Sequence, residues 1–182
     1  MSAAKVAIVG AAETTALGRI PQMSQIQLHA DAALNALADA GLTLKDIDGV
    51  ATAGESPTAV AHYLGIAPNW VDGTAVGGCS FMLHVRHAVA AIESGLCQCV
   101  LITHCESGRS NVGRAGWSSS PGSLPGQFES RFGGMGPTTL FTLPVLRFLK
   151  DQDTTLAQFA SHAVLHPQWA PLTPPSTFLH PA

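Results

Sequence analysis

The sequence predicts an α/β fold, a mostly parallel sheet flanked by helices in layers. Three observations carry that expectation. Short apolar runs rich in branched residues alternate with longer stretches whose apolar residues recur at helical spacing. The helical stretches open on capping residues and close on glycines. Strands separated by helices also need crossover connections, which place neighbouring strands in parallel.

Taken in order, Lys5 to Gly10 (KVAIVG) reads as a buried strand. Ser24 caps a helix over 25–40, with Ala30, Ala33, Leu34, Leu37 and Ala40 on one face and Gly41 as the stop. Asp48 to Ala53 is a second strand, and Ser56-Pro57 opens a short helix that Gly65 closes. Asn69 to Thr74 is a third strand. The next helix carries Phe81, Val85, Ala88, Val89 and Ile92 at helical spacing and ends at Gly95. Leu96 to Thr103 is a fourth strand. From Glu106 to Gly136 the periodicity breaks, as in an inserted functional or disordered loop. There Arg109, Arg114 and Arg131 outnumber Glu106 and Glu129, which fits a phosphorylated ligand or merely scattered solvated charges. Helical character resumes over 137–150 and 155–165. Past His166 come Pro167, Pro171, Pro174, Pro175 and Pro181, with no packed element expected. The expected organisation is one domain over 1–166 and an irregular proline-rich tail over 167–182.

Composition narrows the class. Only 12% of the 182 residues are charged, against about 25% in a typical soluble domain, and mean hydropathy is +0.24. A surface this poor in charge is expected to hide against a partner or a second copy. The net charge of −3 offers nothing to nucleic acid. The apolar stretch Val6 to Val9 is too short for a signal peptide or a membrane span. Four cysteines without secretory context point to a reduced, cytoplasmic setting.

The most informative residue is Cys79, because of Val71-Asp72-Gly73-Thr74-Ala75-Val76-Gly77-Gly78-Cys79-Ser80-Phe81 around it. An extended segment turns through two glycines and sets a thiol down at a helix start. Free N–H groups and the positive end of the helix dipole favour an anion there. The thiolate is the form that attacks carbonyls. The glycines Gly77 and Gly78 remove side chains where a bulky substrate would approach the backbone. Two readings stand side by side, a nucleophile and a buried structural cysteine.

Other constellations carry less. Cys97, Cys99 and Cys105 with His104 lack the paired spacing of a zinc site, and Cys97 and Cys99 would share one face of the fourth strand. His84 and His87 stand three apart on the cysteine helix with no third ligand in register, so no metal is expected. His84 is open to lining a pocket or bonding across an interface. No Rossmann or P-loop glycine pattern is present, so no nucleotide cofactor is supported by such a motif.

Several stretches together resemble the N-terminal half of a thiolase, in the branch related to sterol carrier protein X and other lipid-transfer thiolases. They are Val6-Ala7-Ile8-Val9-Gly10 with Glu13-Thr14, Asp46-Ile47-Asp48-Gly49-Val50, Val71-Asp72-Gly73-Thr74 and, most specific, Gly77-Gly78-Cys79-Ser80-Phe81-Met82-Leu83-His84-Val85. The loop before Gly134-Met135-Gly136 fits as well, and the resemblance runs over 4–166. It implies a layered thiolase-like half-fold in which Cys79 accepts an acyl group from an acyl-coenzyme A, with Gly77, Gly78, Ser80 and His84 around the substrate. The acyl-enzyme would then undergo thiolysis or Claisen condensation, with coenzyme A thioester as substrate and no resident cofactor. Thiolases carry a second half with a Gly-His-Pro histidine and usually another cysteine. Neither motif occurs here, since His166-Pro167 and His180-Pro181 lack the glycine. The expectation is therefore half an enzyme, natural or truncated, that works as a homo-oligomer or beside a complementary half or small partner protein. The resemblance also implies two alternatives, a retro-aldolase subunit of steroid or lipid side-chain breakdown and a non-catalytic acyl-binding or partner-binding subunit. Relatives of the first kind often have Ser or Ala where this chain has Cys79, which favours acyl transfer.

Overall fold

The computed structural model describes residues 6–113, 120–134 and 136–172. They fall into two compact units, the first ending at residue 114 and the second running from 115.

The first unit is the layered α/β body. Helix α1 (Gln25–Ala40) begins where Ser24 accepts the Gln27 N–H and the Gln27 side chain returns to the Ser24 N–H, a complete capping box. It stops at Gly41, left-handed at φ 67°. Strand β1 (Gly49–Ala53) is buried along its whole length. Helix α2 (Pro57–Leu64) leads to strand β2 (Trp70–Asp72), and helix α3 (Ser80–Glu93) leads to strand β3 (Val100–His104). The three strands are parallel in the order β2-β1-β3, with Val50 opposite Val71 on one side and Leu101 on the other. Central position and cover on both faces explain why β1 reads as unbroken small and apolar residues. Ala33 and Leu37 of α1, Val60 and Ala61 of α2, and Val50 and Leu101 of the sheet form the main core.

The sequence places a first strand at 5–10, and this is corrected: residues 6–10 join no sheet among the described residues, and Lys5 lies outside them. The segment instead runs beside α1. A Cβ on Gly10 would lie 2.5 Å from the Ala36 carbonyl oxygen, so only glycine permits the approach. Asp31, Asn35 and Asp39, one stripe of α1, hold residues 11–15. Asp39 accepts the Ala11 N–H, Asn35 donates to the Glu13 carbonyl, and Asp31 accepts the Thr15 N–H. Ile8 and Val9 are left 76% and 61% exposed. Between this segment and β3, an outer strand of the three, lies a groove of about 1290 Å³. Its walls include Ala33 and Ala36 of α1 and Val85, Val89 and Ile92 of α3.

The fourth expected strand also starts late. Asp48 accepts the N–H groups of Gln98 and Cys99, which holds residues before Val100 out of the ladder. Cys97 and Cys99 therefore share no strand face, although Cys97 is buried and Cys99 half-buried.

The core includes an ionisable group on α1. His29 of α1 is fully buried, its Nδ1 2.7 Å from the Thr103 hydroxyl. Burial pushes its pKa from 6.5 down to about 4, Glu55 works against that and His104 with it. The folded state thus holds His29 neutral while the unfolded chain takes a proton below 6.5. Stability present above pH 6.5 is lost as pH falls toward 4, by on the order of 2 kcal/mol between pH 7 and pH 5. Urea titrations at the two pH values should show this loss, and His29→Gln should shrink it; an equal loss in the variant would contradict the assignment.

The second unit is helical: α4 (Leu124–Phe128), α5 (Pro137–Leu140), α6 (Thr142–Asp151) and α7 (Leu156–Trp169). The loop expected over 106–136 thus contains a short helix, capped by Ser123 through the Gly126 N–H. The helix expected over 137–150 is two, separated at Phe141. Thr155 and Gln158 form a second capping box at the start of α7, which runs on past His166 with Pro167 inside it. Residues 114–119, Met135 and 173–182, and with them Arg114 and most of the tail, lie outside the described residues.

Candidate active site

Strand β2 ends at Asp72, and residues 73–79 carry the chain from the carboxyl edge of the parallel sheet to the start of α3. Open α/β sheets bind ligands at that edge. Cys79 is the N-cap of α3, one residue earlier than the first-turn position the sequence implies, and it is exposed. The one hydrogen bond recorded for its thiol among the described residues is weak, Sγ to the Val76 carbonyl at 3.8 Å.

The turn before it is built on Gly77, at φ 86°, a conformation that other residues resist. A Cβ at Gly77 or Gly78 would meet nothing within 4 Å, so open space adjoins the thiol. The Ser80 and Met82 N–H groups go to Gly77 and Cys79 carbonyls, whereas no hydrogen bond is recorded from the N–H of Gly78, Cys79 or Phe81 to a described residue. Such donors at a helix start are suited to an oxyanion.

Ser80 and His84, which the resemblance places around the substrate, bond to the loop itself. Both are buried, at 1% and 0% exposure. The Ser80 hydroxyl donates to the Gly77 carbonyl at 2.6 Å and accepts the Val76 N–H at 2.9 Å. His84 Nε2 donates to the Thr74 carbonyl at 2.8 Å, which leaves Nδ1 as a buried nitrogen without a partner among the described residues. Together they hold the loop at Thr74, Val76 and Gly77. His87, to which the sequence assigns no role, bonds Asp72 through Nδ1 at 2.5 Å. Asp72 also accepts the Thr74 N–H and hydroxyl. Burial works to raise the Asp72 carboxyl, but the hydrogen bonds from Thr74 and His87 outweigh it and hold the group down at about 2. Asp72 escapes the sequence reading, although an Asp two residues before a Thr after a strand is a turn signal.

The other three cysteines are held toward the neutral thiol. Burial pushes the thiols of Cys97 and Cys99 up, Asp48 adds to both, and burial carries Cys105 to about 11. Limiting iodoacetamide at neutral pH should therefore label Cys79 first, as read by peptide mass mapping. Equal labelling of all four in the folded chain would contradict that ranking. Among the described residues no group of three or more His, Cys, Asp or Glu is placed to hold a metal ion, and no helix is long and apolar enough to cross a membrane.

Against solved structures, the chain matches the Ltp2-ChsH2(DUF35) aldolase at 25% identity and a TM-score of 0.74, over 94% of this chain and 46% of that one. The fold is thiolase-like. The chain spans less than half the length of that structure's chain, so the α/β body with its flanking helices is a thiolase-like half-fold. A monomeric SCP2-thiolase like protein type 1 from Mycobacterium smegmatis matches at 31% identity and TM-score 0.47, over 55% of this chain and 23% of that one. OleA from Xanthomonas campestris, solved with lauric acid and lauroyl-CoA, matches at 19% and 0.43, over 47% and 28%. No protein-family model matches the chain, and no curated protein sequence matches it.

Proposed function

We propose that this thiolase-like half-fold accepts an acyl group from a coenzyme A thioester onto Cys79, the first step of thiolysis or Claisen condensation. The observation that carries the reading is the exposed thiol at the N-cap of α3, with open space over Gly77 and Gly78 and, beside it, N–H groups that donate to no described residue. The Cys79 sulfur attacks the thioester carbonyl as its thiolate. The carbonyl oxygen takes up negative charge facing the helix-start donors, then the carbon–sulfur bond to coenzyme A breaks. The proton given up by Cys79 ends on the departing coenzyme A thiol, and the acyl group stays on Sγ. A cytoplasmic setting and an oligomer or complementary partner are part of the same proposal.

The likeness to an aldolase chain favours one second reading, a retro-aldolase subunit of lipid breakdown. That reading requires no acyl group on Cys79. Release of free coenzyme A from butyryl-coenzyme A, one equivalent per chain and absent in the aldolase case, separates the two. Gly78→Val provides the companion test. The position has no positive φ and open space around a Cβ, so the fold should survive while the branched side chain blocks the thioester. Acylation at the normal rate in this variant would show that substrate does not pass over Gly78.

A further inference from the structure

We infer that Asp72 and His87 are positioning residues for Cys79: they lock the loop that sets the geometry of the helix start, resting on the reading that Cys79 accepts an acyl group. Asp72 stands at the end of β2 and His87 two turns into α3, so their bond ties together the strand and the helix that flank residues 73–79. The carboxylate is used fully. One oxygen takes the His87 Nδ1–H, the other takes both the N–H and the hydroxyl of Thr74 at 2.9 and 2.7 Å. Side-chain exposure is 12% for Asp72 and 39% for His87, so the pair is shielded more than an ordinary surface ion pair.

Fixing Thr74 matters because its carbonyl is the only recorded anchor of the buried His84 among the described residues. His84 lies just over one turn from Cys79, three residues before His87 and on the same helix face. The loop is thus pinned at Thr74 by Asp72 and His84, and at Val76 and Gly77 by Ser80. Between the last of these pins and the thiol remains Gly78, which has no side chain to restrain it. Without Asp72, the Thr74 donors and His87 lose their acceptor, and the Thr74 carbonyl is free to leave His84. The N–H groups of Gly78 and Cys79 then drift from the place where an oxyanion forms.

This role separates two reactions of the same sulfur. Alkylation by iodoacetamide passes through no oxyanion and needs only an accessible thiol. Acylation by butyryl-coenzyme A does pass through one. Asp72→Ala and His87→Phe should slow acylation by at least about tenfold while changing alkylation by less than about twofold. Asp72→Asn keeps an acceptor for Thr74 and should recover much of the loss. Circular dichroism checks that the variants fold; should Asp72→Ala fail to fold, His87→Phe and Asp72→Asn carry the comparison. Unchanged acylation, or equal slowing of both reactions, would overturn the role. If the wild-type chain takes no acyl group at all, the acyl-transfer reading fails, and the His84 Nε2–H resonance decides the positioning claim. It should be protected from solvent exchange in the wild type and exchange rapidly in His87→Phe; equal protection in both would overturn the inference.

Discussion

Given an acyl-coenzyme A and a second thiol or carbon nucleophile, the 182-residue chain should release one equivalent of coenzyme A and then stop. The first step needs only what α3 and its preceding loop contain, the exposed Cys79 and the donors at the helix start. The second step needs a base to activate the incoming nucleophile. Neither histidine on α3 is recorded in a hydrogen bond to the Cys79 sulfur: His84 is buried with Nε2 on the Thr74 carbonyl, and His87 stands two turns along the helix with Nδ1 on Asp72. No Gly-His-Pro triplet occurs anywhere in the sequence to supply another. General-base assistance contributes about a hundredfold to ten-thousandfold, so its loss leaves an acyl-enzyme that turns over slowly if at all. Burst kinetics with a thiol-sensitive dye would show the stall. Steady multiple turnover by the purified chain would mean that a base already stands at Cys79.

The purified chain should also associate, with itself or with a complementary half. The groove beyond β3 exposes apolar surface of both helical layers, and Ile8 and Val9 stand out along its far wall. Phe81 and Met82, directly after the N-cap region of α3, are 48% and 64% exposed. Every 100 Å² of such surface taken from water is worth about 2.5 kcal/mol, and contiguous patches of several hundred Å² mark contact surfaces. With only 12% charged residues, little on the chain opposes contact. Sedimentation velocity at micromolar concentration should give a dimer or larger species. A monodisperse monomer with no tendency to bind an apolar dye would contradict this.

The helices of the first unit are legible in the sequence because their signals are local. Ser24 with Gln27 and Gly41 bound α1, and Pro57 and Gly65 bound α2, all within a turn of the residues they affect. The strands are legible only where their neighbours are present. Val6 to Val9 have the branched, apolar character of a buried strand, yet a strand is defined by pairing, and no pairing partner lies beside them among the described residues. The late start of β3 depends on Asp48, fifty residues away in sequence from Gln98, which no window of local pattern registers. At the site, Cys79 and its two glycines stand out by chemistry and spacing. The sequence places Ser80 and His84 close after Cys79 but does not show their burial or their bonds to the Gly77 and Thr74 carbonyls, since one and five residues along a helix point the side chain under the loop as readily as toward solvent. Asp72 is overlooked for the same reason in reverse, since its partner His87 lies fifteen residues on.

The central claim is that Cys79 is the acyl acceptor. It is tested most directly by exposing the chain to butyryl-coenzyme A, quenching in acid, and mapping the adduct by peptide mass spectrometry beside a Cys79→Ala control. The account predicts one butyryl group per chain, on the peptide containing Cys79, and none in the control. An unmodified wild-type chain, or an adduct that persists when Cys79 is replaced, would contradict it.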